Sequence, residues 1–138
     1  MSDHEALFRR LVVGDIFHAS FLPEGHSGPS LICLVTSVTE TSIQGRTVTT
    51  QFRFQFSLKT GETESVDERA FVARGDETVV CAIDSIAPLP VDIHDVMLGI
   101  DRKFRLERYE RNPERIKLND AEKKALVFVG TYYPENPL

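Results

Sequence analysis

Chemistry in this 138-residue chain would have to come from four histidines, two cysteines and one concentrated run of basic residues. The histidines are His4, His18, His26 and His94, and no two of them stand in an H-x-H or H-E-x-x-H spacing. Asp92, His94 and Asp95 place three potential metal ligands within four residues. They do so where the pattern predicts a helix start, and there aspartate serves as cap and dipole partner. No metal or other cofactor is therefore expected. Gly25-His26-Ser27-Gly28 begins like the nucleophile elbow G-x-S-x-G. Pro29 stands where its second glycine belongs, and a strand follows where the motif needs a helix. His26 and Ser27 are kept as candidates on a surface loop, 22–29, rather than as catalysts. Cys33 and Cys81 lie inside apolar runs without a neighbouring base to lower their pKa, which predicts buried, inert thiols. Glu62, Glu64, Asp67 and Glu68 form an acidic edge of the kind that discourages edge-to-edge association.

The strongest charge feature is basic. Residues 102–117 hold Arg102, Lys103, Arg105, Arg108, Arg111, Arg115 and Lys117 against Glu107, Glu110 and Glu114. The segment is +4, which leaves −9 on the remainder of a chain whose formal net charge is −5. Arg102, Arg105, Arg108 and Arg111 form one face that could hold phosphate or another anion. Helical spacing also sets Asp101 opposite Arg105, Glu107 opposite Arg111 and Arg111 opposite Glu114, so a salt-bridged solvent face is the competing expectation.

Glu40-Thr41-Ser42-Ile43-Gln44-Gly45 resembles the second motif, [DN]-x-S-x-x-G, of PilZ domains, small β-barrels that bind cyclic di-GMP. Glu40 replaces the family's Asp or Asn. The family's first motif, R-x-x-x-R, is not met, because Arg9 and Arg10 are followed four residues on by Val13 and Gly14. What the resemblance implies is a cyclic-dinucleotide site needing Arg9, Arg10, Ser42 and Gly45.

The elements that would position these groups follow from periodicity. Ser2 and Glu5 read as a capping box for a short helix over 2–11. Strands are expected over 15–21 and 31–38, the second buried on both faces. Phe52, Phe54 and Phe56 alternate with polar residues, a strand with one wet face. Ile43 and Val48 fall on opposite faces, which predicts a phase change at Gly45. Lys59-Thr60-Gly61-Glu62 is a hairpin turn into a strand ending near Val66. Asp67 caps one or two helical turns ending at Gly75, and a last strand spans 78–86. From Ile93 the period becomes 3.6, predicting a helix over 93–111 whose Ile100–Phe104 stripe plugs or flanks the barrel. Asn119 and Glu122 cap a further element over 120–129, helix or strand, and 131–138 reads as a flexible tail.

A hydrophobic fraction of 41% and a charged fraction of 27% are those of a globular domain. No apolar run approaches the ~18 residues of a membrane span. The polar start Met1–Glu5 is unlike a secretory signal, and with only two cysteines a reducing cytoplasm is the expected location. The expected fold is α+β: one domain over 1–138, with a small antiparallel β-barrel or strongly bent sheet, SH3-like or related, over about 12–90 and helices over about 92–130. The expected function is a non-enzymatic interaction module that binds a protein partner or itself. A ligand sensor or nucleic-acid adaptor using the basic face is the second expectation. An enzyme assembling His18, His94 and Asp95 only in the fold is the third.

Overall fold

The computed structural model describes residues 3–21, 31–67, 81–110 and 116–138. A short helix α1 (Asp3–Phe8) precedes six strands: β1 (Ile16–Phe21), β2 (Leu31–Val38), β3 (Ser42–Thr47), β4 (Arg53–Ser57), β5 (Thr63–Val66) and β6 (Cys81–Ser85). Two helices follow, α2 (Val91–Glu110) and α3 (Asp120–Glu135). The strands form one antiparallel sheet in the order β5-β4-β3-β2-β1-β6. It curls into a half-barrel whose two edges touch through a bridge between Glu62 and Ala82. Beside the bridge, the Ile83 N–H donates to the Gly61 carbonyl at 2.9 Å. The α+β class with a strongly bent sheet is as expected from the sequence.

Alternation along the strands divides the apolar residues between two cores. Phe17, Cys33, Val35, Ile43, Phe54, Phe56, Cys81 and Ile83 fill the inside of the curl, and Phe8 and Leu11 from the N-terminal segment plug it. The Phe8 ring fits because Gly61, at φ +75, has no side chain; a Cβ there would lie 2.7 Å from Phe8 Cζ. Ile16, Leu34 and Val48 point the other way and pack with Met97 and Ile100 of α2 and with Ala125, Val129 and Tyr133 of α3. The α2 stripe thus flanks the sheet, and α1 is the plug. The first five residues of β2 are covered on both faces, whereas Thr36 and Val38 are exposed.

Two expectations for the middle of the chain are corrected. The stretch 42–57 is two strands, and its phase changes in a turn over 47–52, where the Gln51 N–H donates to the Thr47 carbonyl at 2.8 Å. Gln51 there adopts φ 59. Gly45 makes no bulge: a Cβ at that position would meet Phe17 Cζ at 3.1 Å and Cys33 Cβ at 3.3 Å, so the inner core needs the space. The irregular register lies opposite, in β2 between Val35 and Ser37.

The C-terminal reading is also revised. Asn119 and Glu122 do form a reciprocal capping box, with the Glu122 N–H donating to Asn119 Oδ1 at 2.8 Å and the Asn119 N–H to Glu122 Oε1 at 2.9 Å. Leu126–Val129 are helical despite their strand propensity, because Ala125, Val129 and Tyr133 at intervals of four bury one stripe. The segment 131–138, expected as a flexible tail, is helical to Glu135, and the Leu138 N–H donates to the Asp84 carbonyl at 2.9 Å. The expected helix after Asp67 and the loop 22–29 lie outside the described residues.

A buried ion pair ties the helices to the sheet. Asp101 of α2 is 3% exposed and accepts from Arg46 Nη2 at 3.0 Å, Arg46 Nε at 3.3 Å and Gln51 Nε2 at 2.9 Å. Replacing one member strands a charge, a loss of about 3–5 kcal/mol for buried pairs. Urea unfolding of Asp101→Ala should show a loss of that order. The double variant Arg46→Met with Asp101→Leu should recover much of it, because no charge is then left unpaired. At the other helix junction, the Lys103 ammonium 2.6 Å from Glu122 and the Asn119 N–H hold the Glu122 carboxyl below the usual carboxylate range, against the opposing effect of burial. A depressed pKa contributes stability above the unfolded value, about 4.3, and loses it as pH falls through the folded one. Glu122→Gln should therefore cost most at neutral pH, with its urea midpoint converging on that of the parent in acid.

Candidate functional site

Between α1 and β1 the chain makes a tight turn over Val12–Asp15. The Asp15 N–H donates to the Val12 carbonyl at 3.0 Å, and the Asp15 carboxylate accepts from the Val12 N–H at 3.0 Å. The turn is pinned to the sheet, with the Gly14 N–H on the Val35 carbonyl at 3.0 Å and the Val35 N–H on the Asp15 carbonyl at 2.8 Å. Its tip carries Val12 and Val13 into solvent, 59% and 64% exposed.

Beside this turn lies a cleft with two lobes that share Leu11, Asp15, Ile86 and Pro88. The smaller lobe, about 200 Å³, runs toward Val91 and His94. The larger, about 460 Å³, runs toward Leu7, Arg10 and Leu138. His94 Nε2 donates to the Gly14 carbonyl at 2.8 Å, fixing the start of α2 against the turn. Arg10 is exposed, and its guanidinium has no hydrogen-bond or ion-pair partner among the described residues. Sequence reasoning missed this cleft, since its walls come from four separated segments, several of them irregular. The cluster of Val12 and Val13 beside a turn was the available signal.

The basic face is laid out differently from the expectation. Asp101 does not face Arg105 but turns inward to Arg46. Arg102 and Arg105 are exposed without an ion-pair partner among the described residues, and Lys103 is taken by Glu122. Arg108 lies in the last turn of α2, and its side chain is outside those described. Arg111, His26 and Ser27 also lie outside the described residues.

The residues of the Glu40–Gly45 motif come only partly together with the N-terminal arginines. Arg9 Nη1 donates to the Glu40 carbonyl at 3.0 Å while its other nitrogens hold Glu5. Ser42 is buried, donating to Glu64 Oε1 at 2.6 Å and accepting from Gln55 Nε2 at 3.3 Å. Gly45 faces the inner core and Arg10 lines the cleft, so Ser42, Gly45 and Arg10 do not share one surface. Phe54 and Phe56 are core residues and Phe52 is partly buried against them. Their face is the interior of the curl, not a stacking platform.

His18 is engaged in structure. His18 Nδ1 lies 2.5 Å from Asp84 Oδ1, and Ser20 Oγ donates to the other oxygen of the same carboxylate. Sixty-six residues separate His18 from Asp84, and no local pattern joins them. Among the described residues no group of three or more His, Cys, Asp or Glu side chains gathers as a metal site. No helix among them is long and apolar enough to cross a membrane.

Cys33 and Cys81 are both buried and form no disulfide. Burial first, and the nearby Cys81 second, push the Cys33 thiol far above its ordinary range. The thiolate is the reactive form, so neither cysteine should react with an aromatic disulfide reagent in the native protein. Both should react at once in urea, and a native-state reaction as fast as that of a free thiol would contradict this placement.

Comparison with family models, with curated proteins and with solved structures finds no match to this chain.

Proposed function

We propose that the chain is a non-enzymatic interaction module built on a small barrel, SH3-like or related, that docks a protein surface, a second copy of itself included. The observation that carries this is Val91, lining the cleft, with Val12 and Val13 on the turn that His94 holds to the same helix, each of the three more than half exposed. Single exposed valines are ordinary; several beside a concave apolar surface are the usual mark of a contact site. The turn that presents two of them is held by four hydrogen bonds, so little ordering cost attends docking. A photo-crosslinking benzoylphenylalanine at Val13 should trap one protein of defined mass or a second copy of the chain. Val91→Asp should remove that adduct. If the probe gives the same adducts as one at the exposed Lys59, and the chain sediments as a monomer at every concentration, the reading fails.

A second reading, an adaptor that holds an anionic ligand such as a nucleic acid on Arg102, Arg105, Arg108 and Arg111, is supported by one specific contact. Because Asp101 is spent on Arg46, Arg105 is released from its expected partner. Charge reversal at Arg102 and Arg105 should weaken binding of short DNA or RNA and flatten its salt dependence. Binding that is absent at low salt, or indifferent to both reversals, would remove this reading.

A further inference from the structure

We propose that the larger lobe of the cleft binds an amphiphilic carboxylate: an apolar chain lies along Leu7, Ile86 and Leu138, and its carboxylate meets the Arg10 guanidinium at the mouth. The volume, about 460 Å³, falls in the range of small-molecule sites. What selects the chemistry is the supply of polar groups. The backbone N–H groups of Leu11, Asp15, Ala87 and Leu138 all donate within the protein, and Pro88 and Pro137 have none. An extended peptide laid in this cleft would bury its own carbonyls against walls whose backbone donors are already spent, which is costly. A hydrocarbon chain has no such groups to satisfy.

One cationic group of the lobe is left uncommitted among the described residues. Arg10 lines the lobe, and its guanidinium has no partner among the described residues. It can make the paired, charge-assisted hydrogen bonds that a carboxylate accepts. Asp15 biases the direction of binding. Its carboxylate lies on the wall shared by both lobes, tied to the Val12 N–H, and repels an anion placed where the lobes join. Arg10 lines the larger lobe alone, so the head group is favoured at the Arg10 end. His94 offers no competing donor at Nε2, which is held by the Gly14 carbonyl.

Titration calorimetry of the whole chain with decanoate, below its micelle concentration, tests the proposal. Saturable binding at one site is expected, weakened about tenfold or more by Arg10→Gln and unchanged by Arg9→Gln. Decanol, which keeps the chain and loses the charge, should bind correspondingly less well. Absence of saturable binding overturns the proposal, as does equal affinity for decanol or an unchanged affinity in Arg10→Gln. The experiment needs no protein partner, so its failure leaves the interaction-module reading standing.

Discussion

A carboxylate in the interior stays charged only where other groups replace the water it has lost. Asp101 meets that condition by drawing three parts of the chain to one point: β3 through Arg46, the turn after it through Gln51, and its own helix α2. The same contact accounts for an otherwise unfavourable backbone. Gln51 holds a left-handed φ that non-glycine residues seldom adopt, and its amide donates to both Asp101 and the Val48 carbonyl. With that angle of α2 fixed, Met97 and Ile100 face the sheet and Arg102 and Arg105 face water. The disposition of the outer layer thus descends from one buried charge.

The inner layer obeys a different constraint, the filling of a curled sheet. Six short strands cannot close around a void, and aromatic side chains supply the volume: Phe17 meets Phe56 edge-on at 5.4 Å, and Phe54 stacks near Phe56 at 6.2 Å. Phe8 then closes one end from a helix of only six residues. So short a helix leaves the barrel end incompletely covered. The cleft forms there, where α1, the turn after it, the stretch following β6 and residues 136–138 meet.

The parts of this architecture that could be read from the sequence are those written in local periodicity. The alternation of Phe52, Phe54 and Phe56, the 3.6-residue stripe through Met97 and Ile100, and the Asn119–Glu122 cap each involve neighbours along the chain. What could not be read depends on partners far apart. Asp101 seemed committed to Arg105 four residues away, but a guanidinium on β3, 55 positions distant, makes the better pair in the dry interior. Leu126–Val129 stood open between helix and strand because propensity is blind to the groove that Ala125, Val129 and Tyr133 fill. The basic run was legible as composition, whereas its freedom from carboxylates was not. The cleft left only the trace of two valines at a turn, and the lone guanidinium of Arg10 looked no different from that of Arg9.

The two glycines beneath phenylalanine rings carry an implication for how this chain can change through descent. Gly45 exists for Phe17 and Gly61 for Phe8. A methyl group added at Gly61 collides with the Phe8 ring and one added at Gly45 presses on the Phe17 ring, and a smaller residue in place of either ring leaves a hollow beside an empty glycine. Each pair is therefore inherited as a unit. In divergent copies of this fold, a side chain gained at position 45 should arrive with a ring lost at position 17. Position 61 is held more tightly, because its backbone angle keeps glycine there even where position 8 has shrunk.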